Sequence, residues 1–263
     1  MSLALPELWC EPVRPDERLI IFAHPRSGST NLLRVLQLHP ELDLLEEPFN
    51  EEHAVWRRFH REHRQRITDM DSFASVLREI YAEYDGFKTL AYQLPEELNR
   101  SMLLAPERKI VFHRRRNLLQ AVVSGLISAQ TGLWNPAAAQ APLLDYYAEL
   151  RPLSLEKAAG RLNYERSMID FYADLLSHLP ASRCLNLFYE DFFLAPPAER
   201  ELQLTRLFEF LDVEPVSITA ADRYINPARA RLNSEETYAR VPNLREIDEA
   251  LGSDAHGRLF DVS

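Results

Sequence analysis

The 263-residue chain is 46% hydrophobic, enough to bury a substantial core, and its length fits one large domain or two small ones. No stretch approaches the ~18 consecutive apolar residues that cross a bilayer, and MSLALPELWCEPVRPDE at the N-terminus lacks the basic region of a secretory signal. A formal net charge of −10 argues against general binding to nucleic acid or anionic membrane, so any bound anion must be held by local donors.

RLIIFA (18–23) reads as a buried strand ending at a turn, after which Leu32, Leu33, Leu36 and Leu38 recur at helical spacings. LDLL (42–45) is the second expected strand, closed by EEPFN and its proline. Residues 51–66 and 71–84 read as helices, the first heavily charged and the second amphipathic. FKTLAY (87–92), KIVFH (109–113) and CLNLFY (184–189) are further strands, with helical patterns near 95–104, 117–130, 155–179 and 198–211. This alternation predicts an α/β fold whose central, mainly parallel sheet is flanked by helices on both faces.

Seven glycines and no Gly/Ser linker argue for a single domain over 1–263, with a core at 17–215 and a proline-punctuated tail at 216–263 that packs back on it. TGLWNPAAAQAPLL (131–144) is the longest irregular segment and is expected to be an active-site loop. Cys10 and Cys184 read as thiols of a reducing compartment, which gives a cytoplasmic expectation. Lysine occurs only at 88, 109 and 157, and this dominance of arginine fits a GC-rich bacterial genome.

HPRSGST (24–30) lies between the first strand and the following helix. Unpaired N–H groups at a helix N-terminus and the helix dipole favour an anion there. Gly28 permits close approach, Ser29 and Thr30 add hydroxyls, and Arg26 offers a fork for two oxygens of a phosphate or sulfonate. The alternative is an ordinary turn with a Ser/Thr cap. The loop lacks the lysine of GxxxxGK[ST], and no Walker-B-type aspartate follows, so a Mg-assisted kinase would lack its usual parts.

The loop resembles the 5′-phosphosulfate loop of sulfotransferases that use 3′-phosphoadenosine 5′-phosphosulfate (PAPS), particularly the carbohydrate and tyrosylprotein members. The resemblance covers residues 18 to 215 and implies a P-loop-kinase-like fold, with PAPS as co-substrate and no metal. It assigns Arg26 and Ser27, Gly28, Ser29, Thr30 and Asn31 to the phosphosulfate. RRRNLLQAVVS (114–124) is similar to the family's 3′-phosphate motif and assigns that phosphate to Arg116 and Ser124. Eight positions apart, these would lie roughly 80° from each other on a helix. This run is especially similar to that of bacterial trehalose sulfotransferases. LNLFYEDFF (185–193) resembles a third family segment and places Tyr189 against the adenine, the alternative being a core aromatic.

HPELDLLEEPFN (39–50) puts Glu46 and Glu47 at the end of the second strand. The family pattern makes Glu47 the general base, and a paired carboxylate in a cleft is expected to have a raised pKa. In GFKTLAY, Lys88 and Thr89 match cytosolic members but Leu90 stands where their histidine base falls, which strengthens Glu47 and leaves Lys88 to stabilise the leaving phosphate. Adjacent residues at a strand end should point to opposite faces, so Glu46 is expected to matter less. His53, His60 and His63 read as surface histidines rather than metal ligands. Arg229 and Arg231 are candidates to complete the 3′-phosphate site. Trp56, Tyr92, Trp134, Tyr146 and Tyr147 are candidates to stack on the acceptor, expected to be a small molecule, possibly a carbohydrate. The rival readings are an ATP-dependent kinase and a non-catalytic anion or nucleic-acid binder.

Overall fold

The computed structural model describes residues 18–51, 63–134, 143–226 and 235–260. Five strands form one sheet: β1 (Arg18–Ala23), β2 (Leu44–Glu46), β3 (Gly86–Leu90), β4 (Arg108–Arg114) and β5 (Cys184–Phe188). Their order is β2-β3-β1-β4-β5, and every pairing is parallel. This is the P-loop-kinase-like α/β architecture that the resemblance implies.

The period-2 alternation of the strands creates two apolar layers. Ile20, Phe22, Phe87, Ile110 and Phe112 meet α2 (Met70–Glu83), α3 (Glu96–Leu104) and the far end of the long helix α6 (Leu155–Ser177). Leu19, Ile21, Val111 and Leu187 meet α1 (Ser29–Leu36), α7 (Pro197–Phe210) and α8 (Ile218–Ile225). With both faces covered, β1 is buried almost throughout, which explains why its sequence is continuously apolar. Gly86 is required where β3 meets β1: an added Cβ would lie 2.2 Å from the Leu19 carbonyl oxygen.

Two strands differ from their expected limits for local reasons. Asp43 N–H donates to the Asp85 carboxylate at 2.8 Å, so residues 42 and 43 belong to the turn and β2 begins at Leu44. The Leu90 N–H donates to the Gln93 side chain at 3.0 Å, which ends β3 before Tyr92. Of the helix expected at 51–66, residues 52–62 lie outside the described residues, as do His53, Trp56, His60 and 135–142 of the expected loop.

A third apolar cluster joins α4 (Leu118–Thr131) and the start of α6 to the tail. Between these two helices lies the short α5 (Leu143–Tyr146); the tail carries α9 (Glu235–Ala239) and α10 (Leu244–Leu251). Leu244 and Ile247 of α10 are fully buried there, and the His256 and Arg258 carbonyls accept from Leu119 N–H and the Asn117 amide. Among the described residues, no helix is long and apolar enough to cross a membrane.

Candidate active site

The turn after β1 enters α1 through Gly28, whose φ is 82°. A side chain there would also strike the rings beneath, since an added Cβ meets Phe193 at 3.0 Å and Tyr189 at 3.1 Å. No side chain caps α1, and its first turn holds no acidic residue, so its dipole has no internal counter-charge. His113 supports the loop from β4, with Nε2 2.6 Å from the Ser27 carbonyl oxygen and Nδ1 3.2 Å from that of Leu187. Burial lowers its pKa to about 4 despite both carbonyls, so the imidazole is neutral near neutrality.

Arg26 has a positive φ of 60° and reaches across the turn. Its Nε donates to Ser124 Oγ at 3.1 Å and its Nη1 to the Trp134 carbonyl at 2.8 Å. Desolvation first, and the neighbouring Arg115 guanidinium second, lower its pKa. Among the described residues, no carboxylate pairs with it. Arg115 donates to the Arg26 carbonyl at 3.4 Å and lies 4.4 Å above the Tyr189 ring. Arg115 also lies 3.9 Å from the Glu190 carboxylate, which leaves Arg26 as the guanidinium of the loop without an acidic partner among the described residues.

On the other flank, Glu47 follows β2 at φ 50°, and that left-handed turn brings it back toward β3. One carboxylate oxygen pairs with Lys88; the other accepts from Asn50 and, at 2.9 Å, from Gln93. Lys88 also donates to Thr30 Oγ1 at 2.9 Å and lies 3.7 Å from Glu46. Glu46 is held by Arg34 at 3.1 Å. The two glutamates thus converge on one ammonium instead of pointing to opposite faces, because Glu47 has left the strand geometry.

A cavity of about 330 Å³ opens beside Arg26. His24, Tyr92 and Trp134 line it with Arg161 and Glu165 of α6, while α4 contributes small and aliphatic side chains. Among the described residues, no group of three or more His, Cys, Asp or Glu side chains could hold a metal ion.

The family model described as "Sulfotransferase family" matches residues 18–217, which include the loop, both glutamates, Lys88 and the Arg116–Ser124 run. The chain belongs to the sulfotransferase family. No curated protein sequence matches it. Among solved structures, it is 15% identical to a mouse sulfotransferase complexed with PAP, covering 83% of this chain and 67% of that one at a TM-score of 0.46. It is 18% identical to the sulfotransferase domain from the curacin biosynthetic pathway, covering 95% and 94% at 0.46. A sulfotransferase from Alicyclobacillus acidocaldarius is 16% identical, covering 89% and 95% at 0.44.

In this sulfotransferase the structure gathers Arg26, Ser124, Thr30, Lys88 and Glu47 around the loop, with Ser27, Gly28, Ser29 and Asn31 in the turn and the start of α1. Arg116 does not join Ser124. Helix α4 starts only at Leu118, so the helical angle expected between them does not apply. The Arg116 fork instead grips Asp191 at 2.5 and 2.7 Å and stacks 4.0 Å over Phe188. Tyr189 is buried against Phe193, with ring centroids 5.0 Å apart. Arg229 and Arg231 lie outside the described residues.

Residues at the site that were not singled out from the sequence include Arg115, Gln93, Asn50, His113, His24 and Glu165. Arg115 was hidden in a run of three arginines of which the motif names one. The others meet their partners only through the fold.

Proposed function

We propose that this sulfotransferase moves a sulfuryl group from PAPS to a hydroxyl of a carbohydrate or other small-molecule alcohol, with no metal. The observation that carries the reading is Arg26, a desolvated guanidinium without a carboxylate partner among the described residues, beside a helix N-terminus whose own first turn carries no acidic residue. These donors fit a phosphosulfate: the Arg26 fork can take two oxygens, and the backbone from Ser27 to Asn31 supplies N–H groups. Arg116 and Ser124 are assigned to the 3′-phosphate. Arg116 is at present paired with Asp191, but both side chains are well exposed, 50% and 40%, and such pairs are worth only roughly 0–1 kcal/mol. A phosphate dianion can displace Asp191. Tyr189, carrying Arg115 on its face, is assigned to the adenine side.

PAPS supplies the sulfuryl group: its sulfur–oxygen bond to the phosphate breaks as the acceptor oxygen bonds to sulfur. Arg26 and Lys88 hold the charge gathering on the phosphate that leaves. Glu47 accepts the hydroxyl proton, positioned by Asn50 and Gln93. Lys88 links the two tasks, since turning from Glu47 toward the phosphate frees a carboxylate oxygen as the leaving group gains charge. Radiolabelled PAPS offered with a panel of alcohols and sugars in EDTA tests the reading. Label should pass to an alcohol. Transfer from γ-labelled ATP instead, dependent on magnesium, would make the protein a kinase.

A further inference from the structure

The cavity beside Arg26 has a wall that the transfer chemistry does not use. Ala121, Val122, Gly125, Leu126 and Ala129 of α4 supply it, and none of these residues has a polar side-chain atom. The α4 backbone groups are spent within the helix. Ala121 and Val122 are buried and Ala129 is exposed, so the wall runs from the interior toward an opening. Tyr92 and Trp134 also line the cavity, and both are exposed. At about 330 Å³ it lies at the small end of ligand pockets, which run from roughly 300 to 1,000 Å³.

The polar side chains around this space are engaged with one another. His24 Nε2 lies 2.5 Å from Glu165 Oε2, and Arg161 pairs with the same glutamate one helical turn away. Both His24 ring nitrogens and Glu165 Oε2 have essentially no surface of their own, so an occupant of the cavity cannot reach them. Arg161 and Glu165 offset each other's charge. Arg26 differs, since its printed donors go to the Ser124 hydroxyl and the Trp134 carbonyl and it borders the anion loop as well. A hydroxyl laid against α4 would therefore lose its water and gain no partner, whereas hydrocarbon gains by leaving water. Gly125 sets the width at the Arg26 end: a Cβ there would meet nothing nearer than Arg26 Cγ at 3.8 Å. Tyr92 directly precedes Gln93, which donates to Glu47 at 2.9 Å, so one edge of the cavity adjoins the residues that hold the assigned base.

We infer that this cavity seats the acceptor, and that the acceptor is a compact alcohol with a hydrocarbon ring frame, not a polyhydroxylated sugar. The frame lies against α4 and the hydroxyl is directed past Arg26 to the loop. There its oxygen bonds to sulfur as the sulfur–oxygen bond to the phosphate breaks, and its proton passes to Glu47. This narrows the acceptor class and rests on the sulfotransferase reading for its meaning, but the binding test does not.

Cyclohexanol and myo-inositol share a six-carbon ring and differ in carrying one hydroxyl or six. Dissociation constants from saturation-transfer NMR, without nucleotide, should show the wild type binding cyclohexanol roughly tenfold or more tightly than inositol. Gly125→Leu, which fills the cavity, should weaken cyclohexanol by a similar factor. Val122→Thr keeps nearly the same shape but trades a methyl of the wall for a hydroxyl, and should weaken it several-fold; this variant decides the matter if Gly125→Leu folds poorly. With labelled PAPS, cyclohexanol should take the label in preference to inositol, and Val122→Thr should raise its KM with little change in kcat. Inositol bound as tightly as cyclohexanol, or cyclohexanol affinity unchanged by the variants, would overturn the site. Preferential labelling of inositol would overturn the acceptor class. A cyclohexanol preference that the variants reduce, in a protein that PAP does not stabilise, would uphold the apolar site and reject the PAPS reading alone.

Discussion

Arg26 and Glu47 both hold positive φ angles, 60° and 50°, where a residue other than glycine stores on the order of 1–3 kcal/mol. The strain sits at the two residues assigned to donor binding and proton transfer, and in each case it turns a side chain across a loop toward its partners. For Glu47 the chemistry separates from binding. Glu47→Gln keeps the shape but cannot take a proton, so turnover should fall ~10²–10⁴-fold while PAP affinity changes little. Glu46→Gln should be milder, since Glu46 mainly serves Arg34 and touches Lys88 from 3.7 Å. Parallel kcat and PAP-affinity measurements on the two variants check this. An inactive Glu46→Gln beside an active Glu47→Gln would shift the base by one residue.

His113 makes a second prediction at this scale. Its folded pKa, about 4, lies below the ordinary 6.5, so the unfolded chain binds the proton more readily. The stability it contributes is therefore complete above pH 6.5 and is lost as pH falls toward 4, at up to about 1.4 kcal/mol per pH unit. Urea midpoints measured from pH 7 to 4.5 should fall, and His113→Asn should flatten the decline.

The elements were largely legible because their signals are local. Five apolar runs became the five strands, and the small-residue stretch between RLIIFA and NLLRVL became the turn from β1 into α1. What the residues alone could not show is where a strand stops being a strand. Glu47 lies one residue beyond β2, and that single left-handed step brings both glutamates to Lys88. Arg116 likewise lies two residues before α4, so its spacing to Ser124 carries no helical meaning.

The tail offers an energetic test at the level of elements. Ile247 of α10 is fully buried with the α4 and α6 side chains, and Ile247→Ala should cost about 2–5 kcal/mol. If core and tail form one domain, urea should still unfold the variant in a single transition at a lower midpoint. A separate early phase would make the tail an independent unit.

At the scale of the whole molecule, sheet order decides which distant residues meet. His24 at the end of β1 and Glu165 in the middle of α6 give no sequence signal together. Glu165, paired with Arg161 at i,i+4, is buried by the fold beside the loop. The same topology places β1, β3 and β4 side by side, so Arg26, Lys88 and Arg115 reach one end of the sheet. Arg26, which among the described residues has no carboxylate partner at that end, is what supports assigning PAPS.

Calorimetric titration of PAP and AMP, in EDTA, against the wild type and Arg116→Ala tests that assignment most directly. PAP should bind the wild type much more tightly than AMP does, and Arg116→Ala should reduce PAP to the affinity of AMP. Equal affinities for PAP and AMP in the wild type would contradict the 3′-phosphate site and, with it, the identity of the sulfuryl donor.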